Sequence, residues 1–125
     1  MDARLQPTRM LQLEPDEAHV IRNAGGSARE ALRSILLSHH LLGARRIMVI
    51  KHTDCAMEGG ADVRMASALK HAGLPEPDLD WGGFAELEAA VHDDVRYLRG
   101  RPDLRGVATE GWIYEVERPV LRRVT

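Results

Sequence analysis

The sequence predicts an α/β domain with a parallel β-sheet core flanked by helices, and three observations predict it. A short β-like segment runs into a Gly-Gly break, and a capped amphipathic helix follows that break. An almost continuous apolar run of strand length comes next, and parallel sheets bury strands of this kind on both faces. The three segments span about 30 residues, the size of one βαβ unit. A length of 125 residues fits one domain over 1–125 and is too short for two.

The first half of the chain supplies that unit. Residues 19–23 (HVIRN) predict a strand and residues 46–51 (RIMVIK) a second one. Between them, Ser27 is a helix N-cap and Glu30 completes a capping box, which predicts a helix over residues 27–42 that stops at Gly43.

The second half predicts two more helices and two late strands. One helix covers residues 61–71, and another is marked by the periodic apolar residues Phe84, Leu87, Val91, Val95 and Leu98. Residues 107–116 predict a strand, and residues 120–124 predict an antiparallel return after a turn at Pro119. The predicted order is β-α-β-α-α-β-β, an α/β pattern.

Composition excludes several classes of protein. Lys plus Arg is 17 and Asp plus Glu is 19, so no excess of positive charge indicates a nucleic-acid partner. No apolar run approaches the roughly 20 residues of a membrane span, and no secretory leader opens the chain, so no membrane partner is expected. The one cysteine, Cys55, excludes an intrachain disulfide and fits the reducing cytoplasm.

Polar residues follow the predicted strand 46–51, where ligand sites of parallel sheets lie. His52 and Cys55 have H-x-x-C spacing, and both are zinc ligands by type. The structural alternatives are an imidazole that caps a backbone carbonyl and a cysteine that packs as a small hydrophobe. A second functional alternative makes Cys55 a nucleophile at a helix N-terminus.

Two further segments carry candidate residues. Gly25 and Gly26 precede a helix, so their backbone amides could face a small polar substrate, although the glycines could also serve only a tight turn. Asp2 and Arg4 lie near the N-terminus, where solvated charges are the default interpretation.

The combination of these segments resembles the β-class carbonic anhydrases. The resemblance rests on M-D-A-R at residues 1–4, V-I-R-N-A-G-G at residues 20–26 and H-T-D-C-A-M at residues 52–57, in that order. The helix between the last two segments is similar as well, and residues 106–116 are similar to the last strands of the family.

The resemblance implies a zinc enzyme that interconverts carbon dioxide and bicarbonate. His52 and Cys55 match two metal ligands, and Asp2 and Arg4 match the Asp and Arg of a C-x-D-x-R motif whose cysteine is the other ligand. In this sequence that cysteine would stand one position before Met1. In the resemblance, Asp2 orients the attacking hydroxide, Arg4 holds Asp2 away from the metal, and Gly25 and Gly26 line the substrate pocket.

The resemblance also implies a homodimer or higher homo-oligomer, and a fold that here lacks the family's first strand. Two interpretations stay open at this point. The chain is a fragment of a longer carbonate dehydratase, or it is a catalytically impaired or non-catalytic member with a degraded zinc site. A thiol enzyme that uses Cys55 is a third possibility, but no Cys-x₅-Arg loop follows, because Ala61 stands at that position.

Overall fold

The computed structural model describes residues 1–125 and contains a three-stranded sheet with helix α4 packed against it. The elements in chain order are α1 (Pro7–Met10), a 3₁₀ turn (Ala24–Gly26), α2 (Ala28–His40), β1 (Arg46–His52), α3 (Ala61–His71), α4 (Leu87–Arg99), a 3₁₀ turn (Pro102–Leu104), β2 (Ala108–Glu115) and β3 (Val120–Arg123). None of the helices combines the length and the apolar character that crossing a bilayer requires.

The sheet is mixed, with the strand order β1-β2-β3. β1 pairs with β2 in parallel, from Arg46 opposite Ala108 to His52 opposite Tyr114. β3 returns antiparallel to β2, as the sequence predicts. Gly111 of β2 allows α4 to lie close, because a Cβ atom there would be only 2.5 Å from Val91 Cγ1.

The three helices predicted from the sequence are present, and the start of the last one differs. The Ser27 hydroxyl accepts the Glu30 N–H at 3.3 Å and caps α2, so the predicted cap is confirmed. α3 has the predicted bounds. α4 begins only at Leu87, because Phe84 lies outside it in a bridge to Glu58.

The hydrophobic core lies between α4 and one face of the sheet. Val91, Val95 and Leu98 of α4 are buried in one cluster with Val49 of β1 and Ile113 of β2. Because side chains alternate along a strand, Met48, Ile50 and His52 point to the opposite face, which stays partly open. The expectation that residues 46–51 are covered on both faces is therefore only half correct.

The predicted strand over residues 19–23 is wrong. These residues form no strand, and the backbone groups of residues 19–22 make no backbone hydrogen bonds. The physical reason is that a cleft of about 850 Å³ separates this segment from β1. Residues 19–23 and the facing edge of β1 therefore lack an adjacent strand to which their backbones could hydrogen-bond. The sheet that was expected to include residues 19–23 therefore ends at β1.

The open edge of β1 predicts self-association. An unpaired strand edge with apolar side chains beside it is a template for pairing with another chain. We expect light scattering at micromolar concentration to find a dimer or a larger species. Met48→Lys, which places a charge at the cleft, should reduce the association. Leu79→Lys, in the exposed loop before α4, should leave it unchanged, and a monodisperse wild-type monomer would contradict the prediction.

Candidate metal and substrate site

The end of β1 and the 3₁₀ turn at residues 24–26 meet at the cleft. Asp2, Gly25, Gly26, His52 and Cys55 all line it. Arg4 does not line the cleft but binds Asp2 directly. The structure thus brings together every site residue that the sequence singles out.

His52 is held with one ring nitrogen free. Its Nδ1 is 2.9 Å from the Thr53 carbonyl oxygen, and a carbonyl can only accept, so Nδ1 carries the proton. In the neutral imidazole Nε2 then has the lone pair, and this atom lies 3.8 Å from Asp2 Oδ2. The carbonyl-capping interpretation of His52 is correct for Nδ1, and this contact leaves Nε2 as the ring nitrogen that could hold a metal ion.

Asp2 and Arg4 form an ordered pair rather than two solvated charges. Arg4 Nε donates to Asp2 Oδ1 at 3.0 Å and Arg4 Nη2 donates to Asp2 Oδ2 at 2.7 Å, which is a bidentate contact. The side-chain hydrogen bonds from Arg4, followed by the bond from its backbone N–H, hold the pKa of Asp2 well below its usual range. The carboxyl group is therefore ionised at neutral pH and can only accept hydrogen bonds.

Arg4 is shared with a second carboxylate that the sequence analysis did not place in the site. Arg4 Nη1 donates to Asp54 Oδ2 at 2.6 Å, and Nη2 donates to the Asp54 carbonyl at 3.0 Å. Hydrogen bonds to Asp2 and then to Asp54 raise the pKa of the Arg4 guanidinium. Asp54 has φ of 56°, a left-handed conformation that Asp tolerates better than most residues. This preference of Asp for left-handed turns is the one sequence feature that could have indicated a role for Asp54 in the turn after β1.

Arg22 holds residues 2–5 in place, a role that the sequence analysis did not predict. Its guanidinium donates to the Asp2 carbonyl at 2.6 Å and to the Leu5 carbonyl at 2.9 Å. These bonds place the backbone of residues 2–5 beside the cleft. No local sequence pattern predicts these hydrogen bonds, because Asp2 and Leu5 are 20 and 17 positions away from Arg22.

The glycine turn is sterically constrained. Gly25 and Gly26 have φ of 61° and 62°, and a Cβ atom on Gly26 would lie 2.8 Å from the Ile50 carbonyl oxygen. Glycine is therefore required where this turn touches β1.

Cys55 is a free, partly buried thiol in a turn. The next helix, α3, begins only at Ala61, so the alternative of a nucleophile at a helix N-terminus is wrong. Arg64 holds the loop after Cys55, since its guanidinium donates to the carbonyls of Glu58 at 2.9 Å and Gly59 at 2.6 Å and also to that of Ala56.

The donor types fit zinc, but the ligand set is short. A neutral imidazole nitrogen and a cysteine thiolate are zinc ligands, and a carboxylate is an acceptable third. The chain forms no group of three or more His, Cys, Asp or Glu side chains placed to hold a metal ion. Catalytic zinc sites keep three protein ligands. The residues present therefore fit part of such a site.

Comparison with known proteins decides the family. The sequence profile of the carbonic anhydrase family matches residues 1–74. Beta-carbonic anhydrase 1 of Mycobacterium tuberculosis is 32% identical over 127 residues, covering 100% of this chain and 78% of that protein. The chain belongs to the β-carbonic anhydrase family. The family resemblance and the fold expected from it are thereby confirmed, and the relatives are enzymes.

Solved structures and a second type of relative agree with this assignment. The carbonic anhydrase of Streptococcus mutans superposes with a TM-score of 0.92 at 31% identity, covering 100% of this chain and 77% of that one. The carbonic anhydrase of Glaciozyma antarctica gives 0.89 at 34% identity, with 100% and 78% covered. A carbon disulfide hydrolase of Acidithiobacillus thiooxidans is 34% identical over 144 residues, covering 98% of this chain and 72% of that protein.

The Asp2–Arg4 pair gives a testable pKa. In Arg4→Met the side-chain hydrogen bonds to the carboxylate are lost while the bond from the backbone N–H remains, so the pKa of Asp2 should rise part of the way toward its ordinary value of about 4. An NMR titration of the Asp2 carboxyl carbon measures this. Arg9→Met, which removes a guanidinium bonded only to Gln6, should not move it.

The sign of the linked stability follows from the direction of the shift. A depressed carboxyl pKa stabilises the fold above the unfolded pKa, and this contribution is lost as the pH falls through the folded value. Acid unfolding of Arg4→Met should therefore lack that contribution. An Asp2 pKa that is equal in both proteins would show that Arg4 does not hold the carboxylate.

Proposed function

We propose that the site carries the zinc-dependent reversible hydration of carbon dioxide to bicarbonate. The observation that supports this most directly is the arrangement around His52. An ionised carboxylate, held by Arg4, lies 3.8 Å from the free imidazole nitrogen at the wall of a cleft that Cys55 also lines. Family membership supports the choice of reaction, and this geometry supports the choice of residues.

His52 and Cys55 would hold the zinc ion. Thr53 supports His52 by accepting its other N–H, which fixes the tautomer and the orientation of the ring. Arg64 supports Cys55 by fixing the loop that follows it. When bound, zinc supplies a nucleophile at neutral pH by lowering the pKa of water to about 7.

Asp2 orients the nucleophile, and Arg4 keeps Asp2 available for that role. Because Asp2 is ionised, it accepts a hydrogen bond from the attacking oxygen and directs a lone pair of that oxygen toward the carbon of CO₂. Arg4 occupies both carboxylate oxygens and so opposes their movement onto the metal. Gly25 and Gly26 offer peptide groups to the product anion, while Met57 and Ile50 give the cleft apolar walls that suit CO₂.

The alternative is a catalytically impaired or non-catalytic member of the family. The observation that favours it is the absence of a third metal ligand in the site. Asp2 could complete the set, but a carboxylate on the metal cannot also orient the nucleophile. The carbon disulfide hydrolases among the relatives make CS₂ a second substrate to test.

Two further expectations belong to this proposal. A homodimer or larger homo-oligomer would cover the open edge of β1 and the exposed apolar side chains Val20 and Ile21. The free thiol of Cys55 is compatible with function in the cytoplasm.

Zinc content tests the ligands. His52→Ala and Cys55→Ala should each lose bound zinc in metal analysis. The loss should exceed the roughly 10–100-fold fall in affinity caused by removing an outer partner of a ligand. His71→Ala, on the exposed end of α3, should keep the wild-type content. Unchanged zinc in either ligand variant would remove that residue from the site.

Stopped-flow hydration of CO₂ with zinc supplied tests the activity. The 125-residue chain should be slow or inactive, because it brings fewer than three ligands together. An engineered extension that places a strand-forming segment and a cysteine directly before Met1 should raise kcat/KM by orders of magnitude. The same extension with serine in place of the cysteine is the matched control. Full activity of the unextended chain would show that its own ligands suffice, and hydrolysis of CS₂ alone would reassign the substrate.

A further inference from the structure

Lys51 is a buried lysine that the proposed reaction does not use. It precedes His52 in β1, and alternate strand residues point to opposite faces, so the two side chains leave the sheet in opposite directions. His52 points to the cleft, whereas Lys51 points to the side covered by α4 and is only 5% exposed. A lysine at such a position is rare unless a partner compensates its charge.

All three donors of the ammonium have acceptors. Lys51 Nζ lies 2.8 Å from Asp94 Oδ2 of α4. It also donates to the carbonyl oxygens of Gly25 at 2.8 Å and Gly26 at 3.3 Å. One charge partner and two backbone partners thus converge on one cation, and the backbone partners are the two glycines of the candidate substrate pocket.

The glycine turn needs such an external restraint. Residues with φ near 60° and no side chain have wide conformational freedom. Within the turn itself, the Gly26 N–H reaches the Asn23 carbonyl only at 3.5 Å. In a trans peptide the C=O and N–H groups point in opposite directions, so a carbonyl fixed on Lys51 also fixes the direction of the following N–H.

We propose that Lys51 is a positioning residue for the substrate pocket: it holds the Gly25 and Gly26 carbonyls behind the cleft and so sets the peptide planes that face the substrate. This rests on the proposed function, because it assigns the pocket to bicarbonate and CO₂. Asp94 fixes the ammonium in place. Asp94 also accepts the Ala28 N–H at 3.2 Å, which ties the start of α2 to the same cluster.

The test compares Lys51→Met, which keeps the length of the side chain and removes the ammonium, with Leu104→Ala. The control shortens a buried core side chain that makes no hydrogen bond to the glycine turn, so it lowers the melting temperature without removing a donor from the two carbonyls. The readouts are the ¹H–¹⁵N NMR signals of the Gly26 and Ser27 amides, which share their peptide planes with the two carbonyls, and a bicarbonate titration followed on those signals.

In Lys51→Met the Gly26 and Ser27 signals should move or broaden, and bicarbonate should bind about three- to tenfold more weakly, as expected for the loss of one hydrogen-bonded restraint. Both readouts should stay at the wild-type values in Leu104→Ala. Asp94→Asn retains the ammonium beside the carbonyls and should therefore perturb the two signals less than Lys51→Met does. If Lys51→Met does not fold, Lys51→Gln replaces it, because its shorter side chain cannot reach both carbonyls.

Wild-type Gly26 and Ser27 signals in the folded Lys51 variant would overturn the proposal and leave Lys51 a role in stability alone. Failure of the proposed function looks different: the wild-type protein itself would not respond to bicarbonate, while the signals would still differ between wild type and Lys51→Met.

Discussion

The buried ion pair between Lys51 and Asp94 is the contact on which the arrangement of the site depends. It joins β1 to α4, and through the Ala28 N–H and the Gly25 and Gly26 carbonyls it also joins the start of α2. Removing one partner of such a pair leaves an uncompensated buried charge, which costs about 3–5 kcal/mol. The ion pair thus connects β1, α4 and the turn before α2 at one point. It stabilises both the wall of the cleft and the packing of α4 on the sheet.

A second group of charges attaches the N-terminal segment to this frame. Residues 2–5 belong to no helix or strand, and arginine side chains hold them in place instead. Arg22 binds their carbonyls and Arg4 binds the turn after β1. Exposed pairs of this kind contribute little to stability. Their role is to orient, since they bring the Asp2 carboxylate to His52 from a segment that has no core of its own.

The elements that sequence alone predicts are those with local signals. The capping box at Ser27, the helical periodicity of α3 and the apolar run of β1 depend on neighbours in the chain, and each appears in the structure. Residues 19–23 have the composition of a strand, but a strand exists only when an adjacent strand accepts its hydrogen bonds. Their failure to form one reflects the missing neighbour rather than their own propensity.

The residues of the candidate site also fall into two groups, those with local sequence signals and those without. His52, Cys55 and the glycine pair could be identified because short spacings and strand ends mark them. Lys51, Arg22 and Asp54 were not identified, because their roles come from partners 17 to 50 positions away that only the fold brings near. Lysine within an apolar run even suggests an exposed strand face, and here it is among the most buried polar residues.

The placement of Asp54 bears on how firmly Asp2 is held. Arg4 divides its donors between the two carboxylates, so a movement of Asp2 away from Arg4 would not leave the guanidinium without a partner. Asp54 is 77% exposed, which means that it can keep Arg4 without a cost of desolvation. In the proposed reaction Asp2 has two possible positions, on Arg4 or on the metal. A guanidinium already satisfied by Asp54 makes the second position less costly than it would be if Arg4 had Asp2 as its one acceptor. In the proposed reaction, Asp54, which does not line the cleft, would therefore influence whether Asp2 orients the nucleophile or becomes a metal ligand.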